Sequence, residues 1–201
     1  MKTTKHFLTT MFFLIIARMA GAQTQVGITA GIGGATQSCF GDIYNNDDLT
    51  TGFNAGITVR KPVNETFAVK TRLLYASKGC SYDKVADGLF TRETDKLNYL
   101  VLPVEAEYSI PVQKNRLFAA AGPYAGFLLD AKHKTGKSTN EVNGTKNVDF
   151  GLAFEIGYAY KCRENNELQF SVDYEMGLAK ISDYNEDWRN KTLSFNVAVL
   201  F

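Results

Sequence analysis

A two-residue rhythm of apolar side chains, sustained for ten or more residues at a time, constrains this chain more than any other feature. Leu168, Phe170, Val172, Tyr174, Met176 and Leu178 alternate with Gln169, Ser171, Asp173, Glu175, Gly177 and Ala179. Residues 192–201 repeat the pattern with Leu193, Phe195, Val197, Val199 and Phe201 on one face, and residues 148–160 do so with Val148, Phe150, Leu152, Phe154, Ile156, Tyr158 and Tyr160. Successive strand side chains point to opposite faces, so a period of two means strand. Shorter runs of the same kind start at Val26, Phe53 and Phe67. Residues 97–110 alternate less cleanly, with Glu105 and Glu107 opposing Val104, Ala106 and Tyr108, and Pro103 predicts a bulge there. Residues 116–130 are apolar on both faces, which leaves their orientation open. The sum is eight strands, with no segment showing a helical period.

The connections alternate in length. Residues 61–65, 111–115 and 161–166 read as short turns, whereas 35–51, 79–95, 131–146 and 181–191 read as long, polar, irregular loops. In an antiparallel up-and-down meander this puts every long loop at one end of the sheet, and the short turns with both termini at the other. Strands of about 12 residues at roughly 3.3 Å each, tilted by about 40°, rise about 30 Å, enough to cross an apolar band of about 25 Å. A soluble barrel fills its centre with its large apolar residues. Here the aromatics Phe154, Tyr158, Tyr160, Phe170, Tyr174, Phe195 and Phe201 share the apolar face, and the other face carries Arg60, Lys70, Arg72, Glu105, Glu107, Glu155, Asp173 and Glu175. The expected fold is an all-β, eight-stranded antiparallel transmembrane β-barrel. Its mean hydropathy of -0.17 is what alternating lipid-facing and lumen-facing residues average to. A net charge of +1 argues against nucleic acid as a partner.

The first residues read as an export address. Lys2 and Lys5 precede an apolar stretch from Phe7 to Ala17 and the small-residue run Ala20-Gly21-Ala22. Residues 1–22 are expected to be a signal peptide and 23–201 the barrel domain, with no cysteine at the cut to take a lipid anchor. Removing Lys2, Lys5 and Arg18 turns the net charge from +1 to −2.

Five segments in order, Gly52–Gly56 (GFNAG), Leu73–Gly79 (LLYASKG), Lys96–Pro103 (KLNYLVLP), Ala121–Gly126 (AGPYAG) and Asp149–Gly157 (DFGLAFEIG), resemble successive landmarks of the PorT-like outer-membrane β-barrel family of Bacteroidetes. The resemblance spans about residues 24–201. It implies an eight-stranded barrel in the cell outer membrane, in contact with outer-membrane lipid, with no family-wide enzymatic activity and a link in some relatives to protein secretion. It brings no catalytic motif. Phe201 resembles the C-terminal aromatic by which the barrel-assembly machinery recognises its substrates.

The inward charges are the first candidate site. An eight-stranded barrel is just wide enough for side chains to fill, and ionised groups there must pair. Lys70 and Arg72 are expected near Glu105 and Glu107 in a structural plug. His133 stands in the third long loop among Lys132, Lys134 and Lys137, without the fixed partners that catalysis needs, and no HExxH, GxSxG, CxxC or P-loop pattern occurs. No enzyme, metal or cofactor is expected; Asp42, Asp47 and Asp48 lack the spacing of a calcium loop. Cys39 and Cys80 both sit on the long-loop side, with Cys162 at the opposite end, so the one plausible disulfide is Cys39–Cys80. The interaction candidates are Lys132, Lys134 and Lys137 for lipopolysaccharide phosphates or a protein partner, with Tyr184 and Trp188 in the fourth loop. The rival reading, a soluble exported lipocalin-like barrel binding an apolar ligand, requires aromatics in the centre. A lipid-modifying barrel enzyme is disfavoured by the missing histidine and serine constellation.

Overall fold

The computed structural model describes residues 24–38, 49–86, 89–135, 138–141, 144–162, 166–182 and 188–201. They form nine strands: β1 (Gln25–Ser38), β2 (Thr50–Pro62), β3 (Phe67–Ala86), β4 (Leu89–Val112), β5 (Asn115–Thr135), β6 (Ser138–Glu141), β7 (Val148–Lys161), β8 (Glu167–Gly177) and β9 (Arg189–Leu200). All pairings are antiparallel, in the order β4-β3-β2-β1-β9-β8-β7-β5, and β4 returns to β5. That last pairing closes an eight-stranded barrel; β6 only extends the outer end of β5. At the β1–β9 seam, Phe201 N donates to Val26 O at 2.9 Å and Val26 N donates to Phe201 O at 3.2 Å.

The alternation in the sequence becomes an alternation of environment. On β8 every odd-numbered residue from Glu167 to Gly177 is buried and the even ones are half-buried or exposed. The outward residues are large and apolar: Ile28, Ile32, Ile156 and Phe195 are each more than 60% exposed. Cross-strand aromatic pairs mark two levels of this belt, Phe67–Tyr108 with ring centroids 5.2 Å apart near the turns and Phe53–Tyr75 at 5.7 Å further up. Phe67 and Tyr75 are eight residues apart on one strand, an axial separation of about 20 Å, close to the height expected of an apolar band between aromatic girdles.

The short turns form as their residues dictate. Asn64 Oδ1 accepts from Thr66 N at 3.0 Å and Phe67 N at 2.7 Å, fixing the β2–β3 turn. Gln113 takes a φ of 56° in the two-residue β4–β5 turn, the left-handed conformation that tight hairpins demand.

Several expectations need correcting. Residues 79–95 are not an irregular loop: β3 runs for 20 residues and β4 for 24, paired in register from Gly79↔Lys96 to Ala86↔Leu89. Residues 131–146 likewise include the end of β5 and all of β6. Together these segments extend the wall well past the upper aromatic pair. Pro103 lies in β4 without shifting the register, because β3 and β4 pair with the same offset on both sides of it. The bulge falls further along, where β4 meets β5 between Asn98 and Tyr99, and it leaves Leu129 unpaired. One extra residue flips the strand's faces. Phe118, Ala120, Tyr124 and Gly126 are buried below the bulge, and His133 turns inward above it.

Candidate functional site

The barrel centre holds charges stacked in tiers, built because inward positions on neighbouring strands fall at matching heights. At the turn end, Glu107 accepts from Arg60 Nε at 2.8 Å and Arg116 Nη1 at 2.5 Å, and Arg116 also grips Glu167 at 2.6 Å. One tier up, Lys70 Nζ donates to Glu155 at 2.8 Å and Gln169 at 2.9 Å. Beside it Arg72 bonds Glu105 at 3.0 Å, pairs closely with Asp173, and lies 3.8 Å from Glu155. Above that, Lys78 meets Glu175 at 2.8 Å and Asp149 at 3.3 Å. Asp149 also accepts from Tyr124 Oη at 3.1 Å and Asn190 Nδ2 at 3.0 Å. Lys70 and Lys78 are each 1% exposed, so each ammonium needs the partners it has.

The structure places the eight sequence-selected residues in this lumen, with partners that differ in part from those expected. Arg72 pairs with Glu105 as expected, but Lys70 reaches across to Glu155 on β7 and Gln169 on β8, while Glu107 is taken by Arg60 and Arg116. The partners lie across the lumen because β1 and β2 present Gly27, Gly31, Gly33, Gly52 and Gly56 inward, leaving room for the long β3 side chains. The sequence reading missed Lys78, Arg116, Asp149 and Glu167. The parity that singled out Lys70, Asp173 and Glu155 extends to Lys78 on β3, Glu167 on β8 and Asp149 on β7. Arg116 was hidden by the two-sided apolarity of β5, whose inward Phe118 and Tyr124 are packed by cations: Lys70 lies 4.7 Å and Arg116 5.0 Å from the Phe118 centroid, and Lys78 4.4 Å from that of Tyr124. An apolar cluster around Leu74, Leu97, Tyr99 and Val101 fills the lumen beside Lys78. Charges and packed side chains, not a cup for an apolar ligand, occupy the centre.

His133 does not sit in a solvated basic loop. It lies on β5 with Nδ1 2.5 Å from Asp95 Oδ1, and with Nε2 2.9 Å from Thr135 Oγ1 and 3.5 Å from Glu93. Lys132 and Lys134 are exposed on the same strand, Lys132 paired with Asp130 at 2.9 Å. Trp188 is not a free loop residue, since it packs against the apolar cluster. Cys80 is buried within β3, its Sγ 3.2 Å from Gln37 Oε1, and Cys162 is exposed in the β7–β8 turn. Residues 1–22, Cys39, Asp42, Asp47, Asp48, Lys137 and Tyr184 lie outside the described residues.

A family model for an outer membrane protein beta-barrel domain matches residues 19–183. No curated protein matches the chain. Among solved structures it is similar to the Neisserial surface protein A, at 17% identity and a TM-score of 0.51, covering 88% of this chain and 97% of that one. The outer membrane protein OprG of Pseudomonas aeruginosa follows at 10% identity and a TM-score of 0.48, covering 87% and 93%. Ail, the attachment invasion locus protein of Yersinia pestis, gives 15% identity and a TM-score of 0.46, covering 89% and 99%.

Proposed function

Because the chain belongs to the outer membrane protein beta-barrel domain family and its barrel resides in the outer membrane, we propose that it acts there as a non-catalytic interaction protein whose working surface is the sheet formed by the outer ends of β3, β4 and β5 with β6. The observation that carries this reading is the continuation of β3 and β4 as a paired hairpin to Ala86↔Leu89, far past the Phe53–Tyr75 level. Family anatomy supports placing that end outside the cell, with the short turns in the periplasm. Exposed Lys132 and Lys134 offer this surface cations for lipopolysaccharide phosphates or for an acidic protein partner. The plugged lumen favours a surface role over transport. The PorT-like landmarks support a narrower assignment, to a secretion-linked or envelope-stabilising branch of the family. Phe201, exposed beside the seam, supports recognition by the barrel-assembly machinery.

Epitope tags test the placement. A tag inserted between Ala86 and Leu89 should be stained on intact cells, and one at Gln113-Lys114 only after permeabilisation; the reverse pattern overturns the reading. Replacing residues 80–94 by a short turn should leave a heat-modifiable barrel in the outer membrane and abolish binding of purified lipopolysaccharide or partner. Unchanged binding would move the function elsewhere.

A further inference from the structure

The cavity at the turn end has a chemistry of its own. It measures about 710 Å³, within the span of roughly 300–1,000 Å³ typical of small-ligand sites, and is lined by inward strand residues together with residues of the short turns. Its floor is the tier of Arg60 and Arg116, held rigid by Glu107 and Glu167. Its rim carries Lys114 from the β4–β5 turn and Lys161 from the end of β7, both exposed and neither paired with a carboxylate among the described residues. Lys161 N donates to Asn115 Oδ1 at 3.1 Å, which binds the two lysine-bearing segments side by side. Glu65, on the β2–β3 turn, adds an acidic group to the same rim.

This is a polar pocket lined by two guanidiniums and two ammoniums against the carboxylates of Glu65 and Glu167, the latter held by Arg116. Its excess of cationic groups suits a ligand with several carboxylates, and Glu65 offers a partner to a free amine. We propose that this mouth binds an acidic peptide of the periplasmic cell wall, its carboxylates on Lys114 and Lys161 and its amine toward Glu65. The inference rests on the periplasmic placement of the short turns given above.

The test uses the full chain refolded in detergent micelles, where binding does not depend on membrane orientation; the epitope tags report that separately. Calorimetry with the tripeptide L-Ala-γ-D-Glu-meso-diaminopimelate should show saturable binding. The double variant Lys114→Gln with Lys161→Gln removes two rim charges outside the buried network, and it should weaken binding about tenfold. Lys132→Gln with Lys134→Gln, at the other end of the barrel, should leave it unchanged. Absent binding, equal loss in both double variants, or inorganic phosphate binding as tightly as the tripeptide would each overturn the proposal.

Discussion

Replacing Arg72 by methionine tests how far the lumen is held together by its charges. Arg72 serves three carboxylates at once, Glu105 at 3.0 Å, Asp173, and Glu155 at 3.8 Å. Without it Glu155 keeps Lys70, and Asp173 keeps the Ser171 hydroxyl at 3.1 Å. Glu105, 1% exposed, loses its sole ion pair among the described residues. Breaking a buried pair from one side costs about 3–5 kcal/mol, and methionine returns a little of this by packing. The expected loss is about 3 kcal/mol, a large share of the roughly 5–15 kcal/mol typical of a folded domain. Trp188 is the single tryptophan and packs against the apolar cluster beside Lys78, so its fluorescence reports the lumen during urea unfolding in lipid vesicles. The midpoint should fall with an unchanged slope. Adding Glu105→Gln should recover part of the loss, with a coupling of about 1–3 kcal/mol in the double-mutant cycle. A single-variant shift below about 0.5 kcal/mol would mean that the tier is screened like a surface ion pair and does not hold the barrel.

Other expectations are quicker to check. Ile156→Arg, on the outer belt, should destabilise the vesicle-embedded barrel by about 2–4 kcal/mol in the same titration, whereas a water-facing wall would tolerate it. His133→Ala removes the link from β5 to Glu93 and Asp95 on β4, so limited proteolysis should nick the projecting hairpin faster while the barrel core stays resistant; an unchanged cleavage rate would refute that bracing role. Cys39 is two residues past Gln37, which Cys80 contacts. Intact mass without reductant should therefore be two protons lighter than with it, and equal masses would exclude the disulfide.

The strands of the barrel proper were legible because their two faces meet different surroundings, lipid outside and paired charges within. Beyond the belt the outward positions meet water instead of lipid, so the buried Ser81, Glu93 and Asp95 are as polar as the exposed Arg92 and Lys96 and the rhythm disappears. Ser81, Asp83, Lys84, Arg92, Glu93 and Thr94 are strand residues in a polar run with no alternation to read. β5 failed for the opposite reason, since inward Phe118 and Tyr124 look like core residues until the cations stacked on them are known. Lys70 could be assigned to the lumen from its parity, but not to Glu155, because a partner on an opposite wall is set by barrel closure rather than by strand pairing.

The reach of these ion pairs along the chain has a consequence for assembly. Lys70 and Glu155 are 85 residues apart, and Arg72 and Asp173 are 101 apart. Of the lumen cations on β2 and β3, Arg60 and Arg72 pair with Glu107 and Glu105 of β4, whereas Lys70 and Lys78 have no carboxylate partner among the described residues of β1–β4. The remaining counter-charges, Asp149, Glu155, Asp173 and Glu175, lie on β7 and β8. An incomplete wall is thus left electrostatically unsettled until its last members join. Only the closed barrel gives Arg60, Lys70, Arg72 and Lys78 each a carboxylate partner.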